Sequence, residues 1–562
     1  TLAERPYLNQ SDDSGNEYFS DAITQEILNA KPKVTDHNVP ARTTSYAFKG
    51  QNQDLRQIGE ALGVNHILEG SVRKAGATVR ITAQLIQVDD GFHLWSDTYD
   101  RELTDVFAIQ DEIANAILTQ LKARLVDGES PAPIATRTST EAYELYLLAK
   151  QRMYERMQLP IEAAVELLDR AIAIDPQYAP AYAQRGIAAL LLADNSYGAT
   201  PRAQAETQAR LFLDQALRLD PELAEAWAGL GLYHYGRPGE VDSGIEALEK
   251  ALALNPNLID AGNWLQNAYI NASRPADALA VLQDVVRRDP LYRPGLANLI
   301  WLYGQMGRPE EAKTVLDRAR PYIPNDPLLS LMQSIQSYYD GHYAEGLQQA
   351  QSALAMQPND RVYRVFYSWG LASTHQYERL AEEGYQGWRV YGMQQLGRTE
   401  EAAMLAWQIG PAENIRFMFE FLNSASRSAE LIAYLEQQWP DLDAFETAFP
   451  ANGYFGHRVM NAVALAYRQT GNQAKFDDAM QRVRRAHDSL TEQGLSNPDY
   501  WLNEAAWFAM AGRNDEALEL LAAAIDGGRI LSARIAEAMP YFRELEGDPV
   551  YEAIQARMVE HL

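Results

Sequence analysis

The chain has 562 residues, a formal net charge of −27 and no cysteine. That length exceeds what a single core holds at about 100–200 residues per domain, so several domains or a repeat array are required. The acidic surface repels phosphate backbones and makes nucleic acid a poor bulk partner, a local basic patch aside, and the lack of Cys excludes disulfides, thiol catalysis, iron–sulfur clusters and Cys-based zinc sites. Hydrophobic residues make up 47% of the chain, which argues against broad disorder. The negative charge reads first as a source of solubility and second as a preference for basic partners. The missing cysteines permit an oxidising compartment without requiring one. No apolar run of about 18 residues is present to span a bilayer. The chain opens on Thr1, Leu2, Ala3, Glu4 and Arg5 rather than on a charged segment followed by an apolar one, so no signal peptide is expected and any anchor would lie upstream.

The first 125 residues alternate in polarity. Residues 64–72 read as a strand, and Lys74 to Ala77, with Gly76 inside, as a hairpin turn. Val79, Ile81, Ala83 and Leu85 recur with period two, as in a half-buried strand. Asp89, Asp90 and Gly91 read as a turn and residues 92–99 as a third strand. Helices are expected over 17–29, 54–62 and 107–124, which makes a small α+β domain with helices packed on a sheet.

Several ordered strings in this stretch carry a resemblance. They are Asn16-Glu-Tyr-Phe-Ser-Asp21, Ala41-Arg-Thr-Thr-Ser-Tyr-Ala-Phe48, Gly59-Glu-Ala-Leu-Gly-Val64 and Leu68-Glu-Gly-Ser-Val-Arg73. The series continues with Val79-Arg-Ile-Thr-Ala-Gln-Leu85, His93-Leu-Trp95, Tyr99-Asp-Arg101 and Phe107-Ala-Ile-Gln-Asp-Glu-Ile113. Together they resemble the TolB amino-terminal-like (FlgO-like) domain of bacterial signalling proteins. The resemblance implies a domain that precedes helical repeats, as in membrane-anchored transcriptional regulators and class III adenylate cyclases. It also implies a periplasmic location, or a membrane-associated one facing the periplasm. Two features depart from that pattern: Glu4 and Arg5 interrupt the expected first apolar strand, and the segment between Asn29 and Val39 is short and polar.

Beyond a linker at 127–139 the pattern becomes helical and periodic. Pro256, Pro290, Pro324 and Pro358 follow one another at 34-residue intervals, each just after an apolar helical pattern ends. A second marker falls midway, in Gly307-Arg-Pro-Glu-Glu-Ala312, Gly341-His-Tyr-Ala-Glu-Gly346, Gly397-Arg-Thr-Glu-Glu-Ala402 and Gly512-Arg-Asn-Asp-Glu-Ala517. The Gly reverses the chain after a first helix, and the small sixth residue lets a second helix approach it. Trp227, Leu230, Gly231, Leu265, Tyr269, Ala278, Leu282, Leu299, Tyr303, Ala312, Leu316 and Ala319 fall at the matching positions. These residues resemble the tetratricopeptide repeat (TPR), two antiparallel helices per unit. The expected fold is therefore mainly α: a TPR α-solenoid over 140–562, of about eight to ten helix pairs, preceded by the α+β domain at 1–126. The pattern weakens over 361–450.

Stacked pairs bury together the faces that one pair cannot bury alone, and they curve into a superhelix with a long concave surface lined by first helices. The aromatics at repeat positions are read as core. Asn263, Gln266, Asn267 and Ile270, with Asn298, Trp301 and Leu302, are the expected groove positions for a partner.

Signatures of catalysis are missing. The nine His are scattered, and no His-Glu-x-x-His, Gly-x-Ser-x-Gly or phosphate-binding Gly-rich loop occurs. Gly229 and Gly231 are read as packing glycines. Asp441, Asp443 and Glu446 make only a partial calcium loop. Arg73, Arg80 and Arg101 either pair with Asp97, Asp100 or Glu102 or bind an anion. His93 is a surface residue or a ligand- or pH-responsive one. No cofactor and no metal are expected. The expected function is a non-enzymatic scaffold for a protein or peptide partner, a membrane protein complex among the candidates. It would form the extracytoplasmic sensing or partner-binding part of a bacterial signalling protein. The alternative is a structural or accessory subunit of a larger assembly.

Overall fold

The computed structural model describes residues 2–11, 64–76, 78–102, 138–193, 200–237, 239–323, 326–358, 360–409, 421–423, 425–448, 456–526 and 539–561, with a few isolated positions besides. The helices expected over 17–29, 54–62 and 107–124, the string at 41–48 and the linker lie wholly or largely outside the described residues. The isolated positions Glu17, Phe19, Ser20, Asp21, Arg56, Ile58, Gly59 and Glu112 are helical.

Alternating polarity produces the sheet. Strands β1 (Leu2–Glu4), β2 (Leu8–Asn9), β3 (His66–Ala75), β4 (Thr78–Gln87) and β5 (His93–Glu102) join in the order β1-β3-β4-β5, with β2 also on β3. β1 and β2 run parallel to β3, while β3–β4 and β4–β5 are antiparallel. Val79, Ile81, Ala83 and Leu85 are buried on one face of β4, as period two requires, with Phe19 and Ile58 buried alongside. Gly76 and Gly91 turn the two hairpins with φ of +60° and +73°. Arg5, just after β1, is tied to β3. The Arg5 amide donates to the Leu68 carbonyl at 2.7 Å, and its guanidinium meets Glu69 at 3.3 Å. Gly70 leaves room for buried Tyr7, whose ring would lie 3.0 Å from an added Cβ.

The helices follow as antiparallel pairs: α1 (Thr140–Tyr154) with α2 (Gln158–Ile174), α3 (Ala179–Ala193) with α4 (Arg202–Leu219), α5 (Ala224–Tyr235) with α6 (Val241–Leu254), α7 (Ile259–Asn271) with α8 (Pro275–Arg288), and α9 (Arg293–Gln305) with α10 (Pro309–Ala319). Next come α11 (Pro327–Tyr339) with α12 (Tyr343–Met356), α13 (Arg361–Ser373) with α14 (Tyr377–Glu383), and α15 (Gln386–Gln395) with α16 (Thr399–Ile409). Then follow α17 (Ser428–Gln438), α18 (Leu442–Ala448), the pair α19 (Gly456–Gln469) and α20 (Gln473–Glu492), the pair α21 (Pro498–Met510) and α22 (Asn514–Asp526), and α23 (Pro549–His561). The architecture is a TPR-type α-solenoid preceded by a small sheet domain. It divides into two compact units, residues 1–268 with 281–295 and residues 269–280 with 296–562.

Helices pack closely where one partner lacks a side chain. A Cβ on Gly229 would lie 2.4 Å from Leu213, and one on Gly231 would lie 2.3 Å from Leu248. Both glycines are thus contact points between helices.

The turn within each pair repeats one chemistry. Gly307, Gly341, Gly397 and Gly512 are left-handed, with φ between +67° and +80°. The amide after each bonds back to the preceding helix: Arg308 to the Tyr303 carbonyl at 2.8 Å, Arg398 to Met393 at 2.9 Å, and Arg513 to Phe508 at 2.9 Å. The same arginines then pair three residues onward, Arg308 with Glu311 at 2.8 Å and Arg398 with Glu401 at 2.7 Å. Arg513 also caps the Phe508 ring, 4.4 Å from its centroid.

The stretch in which the repeat signal fades keeps glycine at Gly397 and makes the same turn without it at two other places. His375 and Ser426 occupy the left-handed slot at φ of +57° and +59°, and α14 shrinks to seven residues. Ser273 does likewise at φ +60°. It is 1% exposed, and its hydroxyl has no hydrogen-bond partner among the described residues. Replacing Ser273 with Gly relieves both costs. We expect Ser273→Gly to stabilise the protein by about 1 kcal/mol in denaturant unfolding, since a left-handed residue with a Cβ costs about 1–2 kcal/mol. A lowered midpoint would contradict this account of the turn.

Candidate functional site: a cleft in the first unit

The first helices of successive pairs share one face, because residues three and four apart lie on the same side of a helix. In the first unit this face lines a cleft that opens to solvent. Met153, Ile187, Ala228, Ala261 and Trp264 form its buried apolar floor, drawn from α1, α3, α5 and α7. Lys150, Tyr154, Arg156, Gln184, Glu225 and Asp260 form its polar rim, and buried Asp289 also lines it.

One bridge ties the rim together. Arg156 leaves α1 with a left-handed backbone, φ +51°, and its Nη2 reaches Asp260 Oδ1 at 2.6 Å, 104 residues later in the chain. The Tyr292 hydroxyl donates to the same carboxylate oxygen at 2.6 Å. Asp260 is positioned by the entry to α7, where the Asn257 amide donates to Asn255 Oδ1 at 3.0 Å and so turns the chain into the helix. The Arg288 guanidinium holds the Pro256 carbonyl at 3.3 Å. The result is an apolar floor with fixed charges at its lip, suited to gripping a side chain while hydrogen-bonding a backbone.

The structure separates the expected groove positions. Asn263 and Asn267 continue the face of Asp260 along α7; Asn263 is buried and Asn267 half-buried. Gln266 is buried, and its amide donates to Asn267 Oδ1 at 2.6 Å. In the second unit, Ile270 and Trp301 pack against Leu490, Leu495 and Tyr500, so the chain's own α20–α21 connection covers them. Asn497 starts α21 by accepting from the Tyr500 amide at 2.8 Å, and its side-chain amide donates to the Gln305 carbonyl. Asn298 is half-buried, and Leu302 is fully buried. The cleft itself left a faint trace in the sequence: Glu225 and Asp260 sit at the second residue of successive first helices. Arg156 lies outside the repeat register and left none.

Other candidate groups find internal partners. Asp443 and Glu446 grip the guanidinium of Arg482, with Asp443 at 2.5 Å, and Asp478 takes its Nε at 2.9 Å. Asp441 instead caps α18, accepting from the Ala444 amide at 2.8 Å. Among the described residues no cluster of three or more metal-ligating side chains occurs. Arg80 chelates Asp100 at 2.6 and 2.8 Å, and that pairing holds the carboxyl below the usual range. Arg101 reaches Glu112 at 3.7 Å. His93 is exposed on β5.

Comparison with known proteins bears on the repeats. Residues 270–335 match the tetratricopeptide repeat family. "Putative adenylate cyclase 3" of Rhizobium meliloti (strain 1021) is 39% identical over 203 residues, 36% of this chain and 35% of that protein. The chain thus spans about a third of that relative's length. "TPR repeat-containing protein YpiA" of Bacillus subtilis (strain 168) is 21% identical over 326 residues, 56% of this chain and 67% of that one. Among solved structures, the type IV pilus biogenesis factor PilW is 17% identical, covers 40% of this chain and 98% of its own, and gives a TM-score of 0.31.

A titratable group in the second unit yields a prediction. His487 is fully buried against the rings of His457 and Tyr500, and neither of its ring nitrogens has a hydrogen-bond partner among the described residues. Burial, with help from the Arg484 charge, lowers its pKa to about 3, against the opposing pull of Asp488. The folded protein keeps this ring neutral, while the unfolded chain binds a proton below pH of about 6.5. Its contribution to stability is therefore intact above pH of about 6.5 and is lost as pH falls from there toward about 3. His487→Phe should flatten the fall of the thermal midpoint between about pH 7 and 5. An unchanged slope would remove His487 as its source.

Proposed function

We propose that this chain is a non-catalytic scaffold that binds a protein or peptide partner through the cleft of its first unit. It would form the extracytoplasmic, sensing or partner-binding part of a bacterial signalling protein. The observation that carries this reading is the cleft: an apolar floor built by four consecutive first helices and rimmed by fixed charge. TPR folds act as scaffolds for protein–protein interaction, and a long first-helix face is the surface they offer. Asn263 and Asn267 extend the binding face beyond Asp260.

The signalling part of the reading has separate support. The Rhizobium relative is named as a cyclase, and this chain spans 35% of it. A sensing segment joined to an output domain would give such a relation. The small sheet domain ahead of the repeats resembles one found in that setting. No helix among the described residues is long and apolar enough to cross a membrane, so in this reading the chain faces a partner in solution or at a membrane surface. The periplasm-facing location rests on the resemblance of the first 125 residues.

The covered face of the second unit favours a second reading for that part. Packing of Leu490, Leu495 and Tyr500 on Ile270 and Trp301 makes a rigid body suited to an accessory subunit.

Site-specific photocrosslinking in the native membrane fraction tests the proposal. A benzophenone amino acid replacing Tyr154 should capture a stoichiometric partner, and one replacing Trp301 should not. Capture at neither position would sink the scaffold reading. Capture only at 301 would move it to the second unit. Turnover of ATP to cyclic AMP by the isolated chain would refute the non-catalytic assignment.

A further inference from the structure

We infer that the α20–α21 connection of the second unit is an acid-released clasp, closed over Ile270 and Trp301 at neutral pH and opened when His487 takes up a proton. This stands apart from the scaffold reading, which concerns the cleft of the first unit.

A short stretch of chain makes the clasp. Leu490, Leu495 and Tyr500 are buried where they meet Ile270 of α7 and Trp301 of α9. The Asn497 side chain donates to the Gln305 carbonyl at the end of α9. Between them the chain turns at left-handed Gly494, φ +81°.

Tyr500 joins this clasp to a buried pair of imidazoles. Its ring lies 5.3 Å from that of His487 and 5.8 Å from that of His457, and the two imidazoles are 5.3 Å apart. The Tyr500 hydroxyl donates to the His487 carbonyl at 2.8 Å and lies 2.8 Å from the Thr491 hydroxyl. His487 is fully buried, and neither of its ring nitrogens has a hydrogen-bond partner among the described residues. A contact built only to stay shut would place an apolar ring here. A neutral imidazole already forgoes hydrogen bonds in this position, and an imidazolium would forgo its hydration as well. Water reaches the ring only if Tyr500 and Leu490, one turn further along α20, move away. Both are members of the clasp.

The neighbouring charges do not offset that cost. On α20 itself, Arg484 is held by Asp488. From α21, Glu504 meets Arg484 at 3.3 Å, and Asp499 meets Arg458 at 3.3 Å. His457 and Arg458 come from α19. Each of these carboxylates is engaged by an arginine, and Ile270 and Trp301 bring no charge from α7 and α9. The closed state therefore keeps His487 neutral, with burial and then Arg484 lowering its pKa and Asp488 pulling the other way. The open clasp binds a proton below pH of about 6.5. Closure is thus fully favoured above that pH and weakens as pH falls from there toward about 3. Glu504 works in the opposite sense. Burial raises its pKa, so acid relieves a penalty in the closed state, and its variant serves as a control.

Hydrogen exchange of the purified full chain at about pH 7.5 and 5.5, corrected for the chemical exchange rate at each pH, tests the clasp. An open-state pKa of about 6.5 raises the opening equilibrium about tenfold between those two values. We expect exchange to accelerate by about that factor over residues 490–502 and 299–306, with little change in α12 or α22. His487→Phe should bring the ratio close to one, and Glu504→Gln should keep or enlarge it. Asn497→Ala, which cuts the tether to Gln305, should speed exchange at both pH values and leave their ratio unchanged. Circular dichroism checks folding, and His487→Gln replaces the Phe variant if that one does not fold. The wild-type comparison stands by itself. A wild-type ratio near one, an acceleration spread evenly over the second unit, or an undiminished ratio in a folded His487 variant would overturn the inference.

Discussion

Helix-to-helix contact through positions with little or no side chain is the constraint on which the rest of the structure depends. Leu213 seats on the bare backbone of Gly186 and Gly229, and Leu248 seats on Gly231. At equivalent contacts elsewhere Ala209, Ala216, Ala251, Ala278, Ala312 and Ala517 are fully buried. Close approach lets each pair bury its apolar stripe against the next, which no isolated pair of this length could do in water. A larger residue at any such point would push a helix outward, and the displacement would pass to the stacked pairs beyond it.

The turns supply the second requirement, a fixed angle between the helices of a pair. A left-handed residue stops the first helix, the following amide bonds back to it, and the next side chain pairs with an acid in the first turn of the second helix. Such pairs are worth little individually when exposed. Repetition at Arg274, Arg308, Arg398, Arg427 and Arg513 nonetheless gives these five turns the same local geometry. This also places much of the chain's basic charge beside acids on the same turn, so a net charge of −27 coexists with extensive local pairing.

The same face of first helices meets different fates in the two units. In the first it stays open as a cleft and is spanned by the bridge from Arg156 to Asp260. In the second the α20–α21 connection lies on it. There Asn497 links the cap of α21 to the end of α9, and Gly307 leaves space for the Ser496 carbonyl, which an added Cβ would approach to 2.6 Å. Side chains that would face a partner in one unit are core in the other, although the repeat assigns both the same register. Function in a fold of this kind is decided by which stretch of the shared face the chain leaves uncovered.

Sequence alone determined the local rules. Period-two alternation marked β3, β4 and β5, and the 34-residue spacing of prolines with the Gly-Arg turns marked the helix pairs, because both are set by residues within a few positions of one another. Where His375 and Ser426 replace glycine the rule was obscured, since a left-handed residue other than Gly leaves no compositional sign. Tertiary structure decided the site. Ile270 and Trp301 are partly covered by residues about 200 positions away, and the cleft gained Arg156 from more than 100 positions away. Contacts at that separation depend on the accumulated rotation of many stacked pairs, and no local pattern of residues records that sum.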